Sequence, residues 1–352
     1  MKLAAVLAAA AATGLFATGA QAQGRSPLPP PGPIEHVAGA LYKIFGGGGN
    51  TLVFVTDKGV VLVDTKMPGN GPAIMEQVRK VTDKPVVTII NTHNHPDHVG
   101  SNDYFRKQFP GVRIISQENT KKWVAANKFY PAADVPDATF KDRTTLGKGK
   151  DEIDLYYFGP AHTDGDAFVV FPAEHTLFLG DVMAWNMAPL IDPPTGGTVI
   201  GLPDALEKAE HALKDISIVV EGHGYINSWK GFETFVAFNR ALLDDAKAAY
   251  ARHEPPEAAV AELQKNPRFA PLLGDHLLKG LEYGNTPHAR ALMNVEVAYQ
   301  QMSGEKVTTN FGGPLPATDK HVGSKGPPPI PGFGPRPGPR PAPAAPAATG
   351  GR

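Results

Sequence analysis

The amino-acid sequence predicts a layered α/β protein, and three observations carry that expectation. Short apolar runs alternate with amphipathic stretches of helical spacing. One run, Val86-Val87-Thr88-Ile89-Ile90, is continuously β-branched, as in a strand buried on both faces. The elements follow one another as strands, helix, strand, helix, strands, helix, strand, helix, an order that all-α and all-β architectures do not produce. The 352 residues suit one large domain or two small ones, at roughly 100–200 residues each.

In chain order, residues 1–22 carry a single charge at Lys2, an Ala/Leu-rich run and a small-x-small end at Ala20-Gln21-Ala22. This is the pattern of a secretory leader cut after Ala22. Gly and polar residues interrupt the run before it reaches the ~20 strongly apolar residues of a membrane span. A mature protein in the periplasm or secreted, with no stable membrane anchor after leader cleavage, is therefore expected. A Pro-rich connector occupies 23–36, and the main domain is expected over 37–230. Leu41 to Phe45, Thr51 to Val55 and Val60 to Val63 read as strands separated by Gly-containing turns. Pro72 to Val81 places Ile74, Val78 and Val81 on one helical face. Beyond the 86–90 strand, Asn102 to Phe109 and Gln117 to Ala126 read as helices. Ile153 to Phe158, Ala167 to Phe171 and Thr176 to Leu179 read as strands. Pro203 to Leu213 is a helix, Ile216 to Val220 a strand and Gly231 to Arg252 a long amphipathic helix. A C-terminal helical extension broken by Pro and Gly is expected over 231–310. The Pro/Gly-rich stretch 311–352 is too poor in apolar residues to offset its ordering entropy and reads as a disordered tail.

Composition narrows the chemistry. The sequence contains no Cys, which excludes a disulfide scaffold, Cys-ligated zinc, an iron–sulfur cluster and a catalytic thiol. Any metal must be held by His, Asp and Glu. With 34 Lys+Arg against 35 Asp+Glu, the net charge of -1 provides no basic field for nucleic acid or an anionic membrane, so a small-molecule substrate is the expected partner. Oligomeric state is not legible.

Directly after the β-branched run the chain reads Asn91-Thr92-His93-Asn94-His95-Pro96-Asp97-His98-Val99-Gly100. Three His and one Asp within six positions crowd four ligating groups at the end of a rigid strand. Three of those groups would become cationic if protonated, so a metal accounts for them far better than solvation does. His93 and His95 suit one side of a turn and Asp97 and His98 the other, which favours two adjacent sites.

This run resembles the His-x-His-x-Asp-His signature of the metallo-β-lactamase superfamily. Further along, His162 in Ala161-His162-Thr163-Asp164 resembles the family's third His. Asp181 in Phe178-Leu179-Gly180-Asp181 resembles its bridging carboxylate, and His223 in Glu221-Gly222-His223-Gly224 its last His. The resemblance runs from about Val37 to Lys230 and implies an αββα sandwich, two sheets back to back with helices outside. It implies two divalent metal ions, zinc being the expected species, with His93, His95 and His162 on the first, Asp97, His98 and His223 on the second, and Asp181 bridging. Two cations sharing a water lower its pKa from 15.7 towards ~7, which gives a bridging hydroxide nucleophile. Asp97 is then expected to orient that nucleophile or carry its proton, Asp181 to be catalytic through the bridge, and Tyr225 to donate a hydrogen bond to the reacting carbonyl.

The presence of Asp181 and the absence of Cys make the ligand set similar to those of the glyoxalase II and lactonase branches. Val182 to Pro189, however, stands where glyoxalase II has a Gly/Cys-rich stretch, and Ala184 where the quorum-sensing lactonases have Tyr. The apolar and aromatic character of 182–189 predicts a pocket that does not select a highly anionic substrate. Trp185 and Met187 are candidates for its wall or for ordinary packing, and 127–147 for a surface excursion rather than a cover. The leading expectation is an exported binuclear hydrolase of an ester, thioester, lactone or lactam. A β-lactamase acting on antibiotics, a mononuclear iron persulfide dioxygenase and a non-enzymatic metal-dependent periplasmic binding protein are the alternatives.

Overall fold

The computed structural model describes residues 30–274 and 286–307. The expected leader, the first half of the connector and the tail lie outside the described residues. Seven strands form the first sheet in sequential order: β1 (Ile34–Ala38), β2 (Leu41–Ile44), β3 (Thr51–Val55), β4 (Val60–Val63), β5 (Val86–Asn91), β6 (Arg113–Gln117) and β7 (Ala138–Phe140). Strands β1 to β4 pair antiparallel and β4 to β7 parallel. The second sheet comprises β8 (Arg143–Leu146), β9 (Ile153–Tyr156), β10 (Phe168–Phe171), β11 (Thr176–Phe178), β12 (Ile218–Val220) and β13 (Ile226–Ser228), in the order β13-β12-β11-β10-β9-β8. Its one parallel pair is β11 with β12.

Alternation along the strands sorts side chains into three apolar layers. Leu52 and Phe54 of β3 join Val61, Val63, Ile90 and Ile115 against Leu155, Val169, Phe171 and Phe178 of the second sheet. The Phe54 and Phe171 rings meet edge to face at 5.1 Å across this middle layer. On the opposite face of the first sheet, Val53, Leu62 and Ile89 pack on α1 (Gly71–Val78) and α3 (Asn102–Gln108) through Ile74, Val78 and Phe105. The outer face of the second sheet is covered by α5 (Leu202–Ala212), α6 (Trp229–Ala251), α7 (Pro256–Leu263) and α8 (Pro287–Ser303). The layers are α, β, β, α. The C-terminal helices are therefore the second outer layer of the sandwich itself. Ser228 starts α6 and Thr286 starts α8, each side chain accepting a first-turn N–H that would otherwise lack a partner.

Five strands depart from the sequence expectation, β13 between the His223 loop and α6 being one of them. β1 begins at Ile34, inside the stretch read as connector; β6 has few apolar residues and ends in Ser-Gln; and β7 and β8 lie in 127–147. That polar, charged segment closes the first sheet and opens the second, because edge strands tolerate polar side chains that central strands do not. Within it, the Tyr130 hydroxyl donates to the Asn94 carbonyl at 2.5 Å, so the segment also braces the loop that follows β5. Among the described residues no helix is long and apolar enough to cross a membrane.

Candidate metal centre

The seven ligand candidates converge where β5, β9, β11 and β12 end. His93 and His95 lie in the loop after β5. Pro96, at the first position of the short helix α2 (Pro96–Val99), turns the chain so that Asp97 and His98 come round to the same spot. His162 follows β9, Asp181 follows β11 in a single helical turn, and His223 follows β12. Their donor atoms form two sets: His93, His95, His162 and Asp181, and Asp97, His98 and His223, with all atoms of a set within 4.8 Å of one another.

Asp181 faces both sets. Its Oδ2 is 4.0 Å from His93 Nε2, 3.9 Å from His162 Nε2 and 3.3 Å from His223 Nε2, while Oδ1 is 3.2 Å from His98 Nε2. This approach requires Gly222, since a Cβ there would stand 2.2 Å from Asp181 Oδ1. His162 Nε2 and His95 Nδ1 are 3.0 Å apart, His98 Nε2 and His223 Nε2 3.3 Å, and His223 Nε2 and Asp97 Oδ2 3.1 Å. Tetrahedral coordination with bonds near 2.1 Å separates ligand atoms by roughly 3.4 Å. The spacing fits.

Most of the rings are held by their other nitrogen. His98 Nδ1 is 2.7 Å from Asp64 Oδ2, His95 Nε2 is 2.9 Å from Asp192 Oδ2, His93 Nδ1 is 3.0 Å from Thr92 Oγ1, and His162 Nδ1 meets the Leu190 carbonyl. Partners of this kind set the tautomer and aim the free nitrogen, as around bound metals. Trp185 stacks on the His223 ring at 4.3 Å with an interplanar angle of 22°. Gly49 packs so closely on His98 that a Cβ would lie 2.2 Å from the ring. The loop bearing Gly49 is tied down by buried Lys66, whose Nζ donates to the Ile44 and Gly49 carbonyls at 2.8 and 2.7 Å.

Electrostatics point the same way. Burial, reinforced by neighbouring imidazoles, pulls His93 well below the usual imidazole range and His162 down to about 4, so both present lone pairs. Burial opposes charge on His223 and His98 as well. There the carboxylates prevail: Asp181 and Asp97 lift His223 to about 9, and Asp181, Asp97 and Asp64 raise His98 well above its ordinary value. His223 and His98 in turn hold Asp181 well below the carboxylate range despite its burial. His93 and His162 thus offer bare nitrogens, His95 is raised by the Asp192 carboxylate despite its burial, and the Asp97, His98 and His223 set holds protons where a cation would take their place. His93 Nε2 is buried with no hydrogen-bond partner and is aimed into the cluster. A donor set of five imidazoles and two carboxylates, with an orphaned nitrogen at its centre, fits divalent metal ions.

Two expected wall residues separate. Met187 is fully buried, whereas Trp185 borders the cluster through its stack on His223. Tyr225 is not drawn in: its side chain is 45% exposed, and its hydroxyl makes no hydrogen bond to a described residue. Sequence reasoning missed Asp64 and Asp192. Asp64 carried a signal, an acid directly after the apolar run of β4. Asp192, in a Pro-flanked turn, carried none.

Comparison with known proteins matches the family model of the metallo-beta-lactamase superfamily to residues 44–223. Metallo-beta-lactamase IND-1 of Chryseobacterium indologenes is 25% identical over 198 residues, covering 54% of this chain and 79% of that one. The 2,4-dinitroanisole O-demethylase subunit alpha of Nocardioides sp. (strain JS1661) is 29% identical over 164 residues, 44% of this chain and 48% of that one. Among solved structures, a metallo-beta-lactamase from Pontibacter korlensis shares the fold with a TM-score of 0.52 at 20% identity, covering 59% of this chain and 98% of that one. The family match takes in just over half of the sequence and all seven converging side chains, and the chain belongs to the metallo-beta-lactamase superfamily.

Proposed function

We propose that this enzyme is a binuclear metal-dependent hydrolase that cleaves an ester, thioester, lactone or lactam and acts outside the cytoplasm. The observation that carries the reading is the position of Asp181, whose two oxygens face both histidine sets. Two divalent ions, zinc first among the candidates, would supply Lewis acidity and a water acidic enough to attack near neutral pH. His93, His95 and His162 would hold one ion, Asp97, His98 and His223 the other, and Asp181 both.

The chain's own residues supply the rest. Asp97 and His95 are the least buried of the set, with 24% and 21% of their side chains exposed, so substrate enters on their side. Asp97 Oδ2 already accepts a hydrogen bond from His223 Nε2. At that opening Asp97 takes the proton of the attacking water and delivers it to the leaving atom. Trp185 forms the neighbouring wall and keeps bulk water from His223. Tyr225 is assigned the carbonyl-polarising donor role only on its place two residues beyond His223, and Tyr225→Phe tests it: a loss in kcat with KM kept supports the role.

The relatives named metallo-beta-lactamases favour lactams as one substrate class. The deciding experiment is metal analysis of the purified protein followed by a panel of lactone, thioester, ester, phosphodiester and chromogenic cephalosporin substrates. Two equivalents of metal and turnover lost in Asp181→Ala support the proposal. Filled sites with no turnover refute it in favour of a binding protein. One iron with oxygen uptake on a persulfide refutes it in favour of a dioxygenase. N-terminal sequencing of the exported protein, with Gln23 first, tests the location.

A further inference from the structure

Arg290 lies in the first turn of α8, outside the residues that the family model matches. It is 2% exposed, no described residue forms a hydrogen bond or ion pair with its guanidinium, and its Nε is buried without a partner. One turn further, on the same face of the helix, Asn294 is 3% exposed. Its Nδ2 donates to the Pro189 and Arg290 carbonyls, both at 2.9 Å, which fixes the amide and leaves Oδ1 buried without a partner. A buried charge without a partner is costly, and native structures retain one chiefly where something else completes it.

The position of this pair relates it to the metal centre. Through Asn294 on Pro189 and Gln301 on Gly197 and Val199, this face of α8 lies along residues 189–199. The same segment contributes the Leu190 carbonyl to His162 and the Asp192 carboxylate to His95. Burial lowers the Arg290 pKa to about 10, and the opposing field comes from Asp181. Asp181 does not neutralise it, because the Asp181 oxygens face His93, His98, His162 and His223. The guanidinium therefore stands within the field of the reaction centre with its donors unspent.

We propose that Arg290, with Asn294 beside it, is the subsite for a carboxylate on the substrate, so that the enzyme selects small acyl compounds carrying a carboxylate. This rests on the hydrolase reading above and adds the substrate class. The guanidinium presents a planar fork that matches a carboxylate with two parallel hydrogen bonds, and Asn294 Oδ1 accepts from an N–H or O–H next to it. The apolar stretch 182–189 gives no hint of this, because the cation comes from a different helix.

The test pairs 4-nitrophenyl hydrogen adipate with 4-nitrophenyl hexanoate, esters of equal chain length with and without the carboxylate, on the metal-loaded protein. Wild type is expected to favour the adipate in kcat/KM by at least about tenfold, the scale of a charge-assisted hydrogen bond. Arg290→Met should bring the ratio close to one, and Arg290→Lys should leave it in between. A wild-type ratio near one, or a preference that survives in Arg290→Met, overturns the proposal. The second readout is the thermal shift produced by glutarate relative to glutaramide. A shift present in wild type and absent in Arg290→Met is expected, whereas an equal shift in both means that the carboxylate binds the metals and overturns the assignment. If wild type hydrolyses neither ester, acyl hydrolysis of this kind fails, while the glutarate comparison still decides Arg290. If Arg290→Met does not fold, Arg290→Lys decides it: a reduced adipate preference and a reduced glutarate shift support the assignment, and wild-type values of both overturn it.

Discussion

Asp64→Asn separates a ring that is merely near a metal from one that is aimed at it. Asp64 is fully buried; its Oδ1 accepts from Thr92 N at 2.8 Å, and its Oδ2 accepts from Thr92 Oγ1 and faces His98 Nδ1, both at 2.7 Å. A carboxylate can only accept, so Nδ1 carries a proton and Nε2 is left to face Asp181 and His223. Asparagine keeps the shape and the Oδ1 bond, but its Nδ2 is a donor where Oδ2 was an acceptor. His98 must then offer Nδ1 as the acceptor, and its proton moves to Nε2, the atom that would bind metal. Loss of such an orienting partner costs about 10–100-fold in metal affinity, or about 1.4–2.8 kcal/mol. His95 and His162 keep their own partners, Asp192 and Leu190, so the loss falls on the Asp97, His98 and His223 set. Zinc titration against a competing chelator should show two classes of site, one weakened by that factor and the other unchanged. Unchanged affinity in both classes, or loss of the His93, His95 and His162 class, would refute the tautomer argument.

Gly49→Ala drives a Cβ to 2.2 Å from a His98 ring that Asp64 prevents from turning aside. About 1–3 kcal/mol of destabilisation is expected by thermal or urea unfolding, together with loss of the same metal class. Trp185→Ala removes a stacked ring from His223; at about 0.5–1.5 kcal/mol for an aromatic pair, the second metal should dissociate roughly 2–10 times more readily in stopped-flow chelation. For pH, the folded metal-free chain raises His223 from 6.5 to about 9, with Asp181 and Asp97 outweighing burial. A raised pKa stabilises fully below about pH 6.5, and the contribution is lost as pH rises through about 9. The melting-temperature gap between chelated wild type and chelated His223→Gln should therefore narrow across that window, and a constant gap would contradict the assignment.

What the sequence made legible was local. His93 to His98 could be read because four ligands fall within six positions after a buried strand, a density that packing alone does not produce. His162, Asp181 and His223 were recognisable only as a set, each at a strand end, since a single His or Gly-Asp has many uses. The strands β2 to β5 and β9 to β12 were legible from apolar runs. The edge strands β7 and β8 were not, because a strand with one free edge needs few apolar residues. The groups that tune the site were hidden for a different reason. Asp64, Asp192 and Arg290 act across 34, 97 and 109 positions of sequence on His98, His95 and Asp181 respectively, and no periodicity records a pairing of that kind.

The same separation explains why the loop after Asp181 misleads about charge. Residues 182–188 contain no ionisable side chain, and a pocket judged from them alone is neutral. A pocket's field, however, sums over every element packed around it, with weight given by burial rather than by closeness in sequence. Among the charged groups beyond the ligand set, Asp192 and Arg290 stand in contrast. Asp192 is tied to His95 at 2.9 Å and is largely spent on it, whereas Arg290 is spent on nothing among the described residues. With two divalent ions bound as proposed, the carboxylates of Asp97 and Asp181 would be neutralised as well, and the net field at the opening would become more positive. An anionic substrate should accordingly gain affinity when metal is added, beyond what its neutral counterpart gains, and under the proposal above Arg290 sets which end of that substrate faces away from the metals.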